Sequence, residues 1–220
     1  ADDPINIQYT SGTTGFPKGV TLSHHNILNN GYFIGELLSY SPADSVVLPV
    51  PYYHCFGMVI GNLAALSHGA SVILPSPGFD PAASLEAVAA EQATSLYGVP
   101  TMFIAMQNHV DFPQRDLSSL RTGIMAGSPC PENTMRRVMG EMGMEEVSIC
   151  YGMTETSPLA TVSVPNASVA AKSPDEQMAY KLKQGRPPLA IEMKLVDDAE
   201  ARLPHDGTTF GRLKVKGPFV

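Results

Sequence analysis

Five short runs of mostly apolar residues recur along the chain: Val46–Val50, Ser71–Leu74, Ser95–Gly98, Thr122–Ala126 and Val147–Cys150. Their centres lie about 24–27 residues apart. Strands buried on both faces lose the alternation of polar and apolar positions and read as continuous apolar runs. Between them lie helical stretches at Gly57–Ser67, Pro81–Gln92, Thr101–His109 and Pro131–Met142, with Asp80-Pro81 and Pro131 as helix starts. Strands alternating with helices of this length predict βαβ units, a parallel sheet and right-handed crossovers.

Two regions break the rhythm. Near the start, Ile5–Tyr9 reads as a strand and Val20–Ser23 as its return, with a Gly/Ser/Thr-rich loop from Thr10 to Gly19 between them and a helix from about His25 to Leu38 after them. Near the end, Ile191–Asp197 and Arg212–Lys216 alternate polar and apolar positions on either side of the turn-rich Pro204-His205-Asp206-Gly207, which predicts an antiparallel hairpin. Pro165–Asp175 is small and polar and is expected to be loop. The expected class is α/β: a mostly parallel sheet with crossover helices, followed by the start of a C-terminal antiparallel β subdomain.

Charge sharpens this division. The chain has 220 residues and a net charge of −7, yet residues 1–114 hold one basic residue, Lys18, against eight acidic ones. Sixteen of the last 49 residues are charged, against nineteen of the first 171. A boundary near residue 170 is therefore expected, giving an α/β core over 1–170 and a β subdomain beginning at 171. The acidic balance excludes nucleic-acid binding driven by phosphate attraction. No apolar run approaches the roughly 18 residues of a membrane span. Three widely spaced cysteines, Cys55, Cys130 and Cys150, match neither a disulfide framework nor a zinc site, which points to a reducing, cytoplasmic setting.

The candidate chemistry lies at turns. Thr10-Ser11-Gly12-Thr13-Thr14-Gly15-Phe16-Pro17-Lys18-Gly19 combines glycines, hydroxyls and one lysine. Such a loop offers backbone amides and hydroxyls to phosphate oxygens, and the lysine adds a compact charge. It is not a Walker A sequence, which counted from Gly12 would need Gly at 17 and Ser or Thr at 19. The bland alternative is a flexible turn. A second cluster, Tyr151-Gly152-Met153-Thr154-Glu155-Thr156-Ser157-Pro158, follows the last parallel strand, where open α/β sheets bind ligands. It supplies an aromatic face, a hydroxyl and a carboxylate, which suits a base, a phosphate and Mg²⁺. A helix start capped by Thr154 would use the same residues. Ala126-Gly127-Ser128-Pro129-Cys130-Pro131 and Pro51-Tyr52-Tyr53-His54-Cys55-Phe56-Gly57 follow two other strands. Alone, the first reads as an ordinary turn and His54 as a structural histidine.

Taken together, YTSGTTGFPKGV (9–20) and YGMTETSP (151–158) resemble the phosphate-loop and adenine/magnesium motifs of the adenylate-forming superfamily, with YYHCFGM and AGSPCP in matching order. The resemblance spans essentially the whole chain, and HCFGM, LYGVPTMF and ICYGMTETSP are most similar to acyl-CoA synthetases for medium-chain and fatty acids. It implies activation of a carboxylic acid with ATP to acyl-AMP and pyrophosphate, then displacement of AMP by CoA. It implies that Thr10, Ser11, Gly12, Thr13, Thr14, Gly15 and Lys18 hold the β- and γ-phosphates. By the same resemblance Thr154 would contact phosphate, Glu155 would bind Mg²⁺, and Tyr151, with Gly152 and Met153, would border the nucleotide. Gly127, Ser128 and Pro129 would border adenine and the acyl chain, and His54 would lie near the carboxylate. The implied partners are a carboxylic acid, ATP and CoA, with homo-oligomerisation open. The family's ribose-binding Asp and adenylation lysine would lie beyond Val220, so the chain is expected to be an internal piece that cannot turn over alone. Two alternatives stand: an adenylation domain or acyl-AMP ligase serving a carrier protein, or a non-catalytic nucleotide-binding module. An amino-acid activator usually carries an early pocket Asp, and Tyr52–Leu66 has no acidic residue.

Overall fold

The computed structural model describes residues 1–10 and 15–220. Strand β1 (Pro4–Thr10) pairs antiparallel with β2 (Lys18–Ser23), and Thr10 stands opposite Lys18. Lys18 is therefore the first residue of the return strand, two positions earlier than the sequence pattern suggests. Helix α1 (His24–Leu37) starts at once, because Ser23 and Asn26 cap each other: Ser23 Oγ accepts from Asn26 N–H at 3.2 Å, and Asn26 Oδ1 accepts from Ser23 N–H at 3.0 Å. Its buried positions, Ile27, Asn30, Gly31, Ile34 and Gly35, fall at helical spacing and form one stripe.

The central sheet has six strands. In chain order they alternate with helices: β3 (Ser45–Val47), a π-helical segment (Phe56–Leu63) running into α2 (Ala64–Ser67), β4 (Ser71–Ile73), α3 (Pro81–Glu91), β5 (Ser95–Gly98), α4 (Pro100–Gln107), β6 (Thr122–Ala126), α5 (Glu132–Glu141), β7 (Glu146–Gly152) and β8 (Leu159–Val162). The spatial order is β4-β3-β5-β6-β7-β8, with every neighbouring pair parallel except β7 and β8. The alternating pleat feeds two cores. Val46, Tyr97, Ile124 and Cys150 pack with α1 and the π-helical segment, while Val47, Leu96, Met125 and Ile149 pack with α3, α4 and α5. Both faces are covered, which accounts for the apolar runs in the sequence.

Three local expectations are corrected. The stretch Gly57–Ser67 is not one α-helix: the Ala64 N–H reaches back five residues to the Val59 carbonyl, so its first part is π-helical. Strand β8 is antiparallel and was not anticipated; its four residues are too few to show a period. Pro165–Asp175 is not all loop, since α6 (Ala167–Ala170) is capped by Asn166 and α7 (Pro174–Lys181) by Ser173. Small polar residues cap helices as readily as they make turns. The C-terminal strands β9 (Glu192–Val196) and β10 (Arg212–Lys216) form the expected separate antiparallel pair. Among the described residues, no helix is long and apolar enough to cross a membrane.

Candidate functional site

The carboxyl ends of β6 and β7 open into a cavity of about 490 Å³. Ala126 ends β6, and Gly127, with φ of +90°, turns the backbone toward Ser128 and Pro129 on one wall. Cys150, Tyr151 and Gly152 supply the next wall, and Pro158 and Leu159 the start of β8. Phe56 and Ile60 of the π-helical segment and His54 just before it close the cavity on another side, and Gln184 from beyond α7. The structure thus brings together six of the residues singled out in the sequence: His54, Gly127, Ser128, Pro129, Tyr151 and Gly152. The position is the one where open α/β sheets place ligands, and the volume lies within the range of about 300–1,000 Å³ usual for ligand pockets.

His54 is oriented by its own backbone. Its Nδ1 accepts from the Phe56 N–H at 3.0 Å. Burial lowers its pKa below the ordinary value. The ring is therefore biased to the neutral form, and with Nδ1 accepting, the proton sits on Nε2. A neutral imidazole with one N–H suits hydrogen bonding to a carboxylate or phosphate oxygen. The thiols are not equipped for catalysis: burial raises Cys130 to about 11 and raises Cys150 further still.

The other predicted residues that the structure describes do not line this cavity. After Gly152, a single 3₁₀ turn runs over Thr154–Thr156, capped by Met153 rather than by Thr154. Thr156, not Thr154, makes the local bonds, accepting from the Met153 N–H at 3.0 Å. Glu155 is exposed and, among the described residues, makes no ion pair. No cluster of three His, Cys, Asp or Glu side chains able to hold a metal occurs among the described residues. One exposed carboxylate with no ion pair among the described residues is the kind of ligand that Mg²⁺ carried by a nucleotide takes, since Mg²⁺ uses one or two carboxylates plus phosphate oxygens. Lys18 and Gly15 are exposed on the hairpin, Gly15 with φ of +105°. Thr10 ends β1. Ser11, Gly12, Thr13 and Thr14 lie outside the described residues.

Sequence reasoning missed two polar residues that tie these parts together and one that lines the cavity. Gln8 Oε1, buried in β1, accepts from the Cys55 N–H at 3.1 Å and from its thiol at 2.9 Å, joining the hairpin to the segment that carries His54. Asn30 reaches from α1 to the turn after β7. Gln184 follows α7 and had no motif to flag it. A larger hollow, about 690 Å³, lies at the opposite edge against the amino ends of β6 and β7. Its Arg136 pairs with Glu132 and Asp175, and Lys181 donates to the carbonyls of Glu145 and Val147. Its principal charged side chains are therefore already committed to protein partners.

Fold and cavity define an α/β ligand-binding domain built on strand carboxyl ends. The chain belongs to the AMP-binding enzyme family, whose model matches residues 1–220. It is 53% identical over 167 residues to YngI of Bacillus subtilis, which carries the name of an acyl-CoA synthetase; the match covers 76% of this chain and 30% of YngI. It is 51% identical over 173 residues to the mitochondrial medium-chain acyl-CoA ligase ACSF2 of Danio rerio, covering 78% of this chain and 28% of that protein. The chain thus spans under a third of the length of these relatives. Among solved structures, ATP-bound MatB from Rhodopseudomonas palustris superposes with a TM-score of 0.79 at 29% identity, over 100% of this chain and 41% of MatB. The N-terminal domain of FACL13 from Mycobacterium tuberculosis shares the fold, with a TM-score of 0.85 at 22% identity, over 100% of this chain and 51% of that one.

Proposed function

We propose that this chain is the ATP- and acid-binding part of an AMP-forming acyl-CoA synthetase. The supporting observation is the cavity itself: His54, Gly127–Pro129 and Tyr151–Gly152, distant in sequence, line one space at the carboxyl ends of two adjacent parallel strands. In the first step a carboxylate oxygen of the acid attacks the α-phosphorus of ATP, the C–O–P link of acyl-AMP forms, and the bond to pyrophosphate breaks. Nε2–H of His54 donates to the carboxylate and holds it for attack. Tyr151 offers its ring to the adenine, while Gly127, Ser128 and Pro129 border the base and the acyl chain. Thr10–Gly15 and Lys18 hold the β- and γ-phosphates and neutralise the charge that builds on departing pyrophosphate. Thr154 contacts phosphate, and Glu155 would hold Mg²⁺. That ion, when bound, would screen phosphate charge. In the second step the CoA thiol attacks the acyl carbon and AMP leaves.

The acid is proposed to be of medium chain length, because ACSF2 relatives carry that name and because the cavity lining includes Phe56, Ile60 and Leu159 but no acidic side chain. An α-amino acid would leave its ammonium unpaired there, which disfavours the amino-acid adenylation reading. The test is acid-dependent ATP–pyrophosphate exchange by the full-length protein across straight-chain acids and amino acids. Exchange peaking at medium-chain acids is expected. Exchange with amino acids alone, or nucleotide binding without any exchange, would refute the proposal.

A further inference from the structure

Helix α1 begins where the β1–β2 hairpin ends, so whatever fixes α1 also bears on the position of β2, which begins at Lys18. On its buried stripe, between Ile27 and Ile34, stands Asn30, only 1% exposed. Its amide faces the turn that carries Thr154 and Glu155. Nδ2 donates to the carbonyls of Thr156 at 3.3 Å and Leu159 at 3.1 Å, and Oδ1 accepts from the Leu159 N–H at 3.3 Å. One side chain therefore ties the end of this turn and the first residue of β8, 126–129 residues away, to α1. Burying an amide is unfavourable unless it is bonded, and a leucine would have served for packing alone.

The turn depends on this grip. Its other bonds stay within residues 153–158: the Thr156 N–H donates to the Met153 carbonyl, the Ser157 N–H to the Thr154 carbonyl and the Met153 N–H to Thr156 Oγ1, while the Thr156 hydroxyl lies within bonding distance of the Met153 and Pro158 carbonyls. The side chains of Thr154 and Glu155 are not tethered to described residues, so their positions follow the backbone of the turn. That backbone is registered to the hairpin through Asn30. We propose that Asn30 is a positioning residue. It sets the height of Glu155 relative to the phosphate-loop hairpin, so that the carboxylate and the loop engage the same metal–nucleotide complex. The inference rests on the reading of Glu155 as the metal-holding carboxylate given above.

The experiment uses the full-length protein as wild type, Asn30→Ser, Glu155→Gln and the double variant. Mn²⁺ replaces Mg²⁺, and its affinity in the presence of ATP is read by electron paramagnetic resonance. Thioester formation from supplied acyl-AMP and the KM for the acid are measured alongside. Serine keeps one hydroxyl for a turn carbonyl; should it not fold, the cycle is run with Asn30→Asp, which retains the bond from the Leu159 N–H. Loss of a group that orients a metal ligand typically weakens the metal about 10–100-fold, so a loss of about tenfold is expected for Asn30→Ser. Acid KM and the thioester step should be unchanged, and the double variant should be no weaker than Glu155→Gln alone. Unchanged Mn²⁺ affinity in Asn30→Ser while Glu155→Gln weakens it would overturn the inference. So would a uniform fall in every readout, which a merely structural residue would give. If Glu155→Gln itself leaves Mn²⁺ affinity unchanged, it is the metal reading of Glu155 that fails.

Discussion

Gly152 stands where β7 gives way to the turn over Thr154–Thr156, and the structure leaves no room there for a side chain. A Cβ at this position would lie 1.8 Å from the Pro158 carbonyl oxygen, 2.8 Å from its carbon and 2.9 Å from Leu159 Cα. All three are backbone atoms, and Leu159 is paired with Gly152 across the sheet, so no rotamer change relieves the clash. Reaching an ordinary contact of 3.4 Å from 1.8 Å requires the two segments to part by about 1.6 Å. Leu159 cannot retreat freely, because Asn30 holds its N–H and carbonyl from the other side. The displacement must then enter residues 153–157, the turn that carries Thr154 and Glu155. A misplacement of about 1 Å at a reacting centre costs about 10²-fold in rate. Gly152→Ala in the full-length protein should therefore lower kcat/KM for acid-dependent ATP–pyrophosphate exchange by about two orders of magnitude. Its stability cost should be that of local overpacking, about 1–3 kcal/mol. The control is Gly140→Ala in α5, where a Cβ meets nothing within 4 Å; exchange should be unaltered. If Gly152→Ala retained exchange close to the wild-type rate, the turn would not be held as described and the argument would fail.

Lys18→Ala should slow acyl-adenylate formation far more than thioester formation from supplied acyl-AMP, because Lys18 is the one cation among the first 114 residues and flanks the glycine–hydroxyl loop; equal slowing of both half-reactions would refute its role toward pyrophosphate. Burial lowers Lys181 from 10.5 to about 8, so between those values the unfolded chain binds more protons and stability rises with pH, the burial cost being fully present below pH 8. Relative to Lys181→Met, wild type should gain on the order of 3 kcal/mol in urea unfolding between pH 7.5 and 10.5, and parallel pH profiles would refute this.

The parallel sheet was legible because burial on both faces forces apolar runs, and five such runs appear at nearly even spacing. What escaped was whatever lacked a period. β8 has four residues, all buried, in a stretch whose hydroxyls and prolines look like loop. Its direction is set by the turn after Gly152 and by the bridge from Val162 to Arg186, neither of which leaves a local signature. The π-helical start of the Phe56–Ser67 stretch was hidden for another reason. Apolar side chains at helical spacing do not reveal whether each N–H reaches back four residues or five. That choice follows from packing: a Cβ at Gly31 of α1 would lie 2.8 Å from Leu63 Cβ, so the two helices meet closely at the end of the π segment.

The site divides along the same line. Residue types that contact a ligand announce themselves, because glycines, hydroxyls, a lone lysine and an aromatic beside a carboxylate are uncommon company. The residues that place them do not, because their partners are main-chain atoms far along the chain. Gln8 holds the Cys55 N–H and Asn30 holds the turn around Thr156, and both are uncharged amides. That choice is consistent with the sparse charge of this half of the chain. A buried Lys or Asp in either place would bear a desolvation cost that backbone partners only partly repay. A lysine there would also add a second cation to a region whose only one is Lys18, and interior charges act over longer distances than solvated ones. An amide can donate and accept at once, so one side chain satisfies both an N–H and a carbonyl of the segment it grips. Gln8 and Asn30 thus tie β1 to Cys55 and α1 to the turn after β7 without adding charge to this half of the chain.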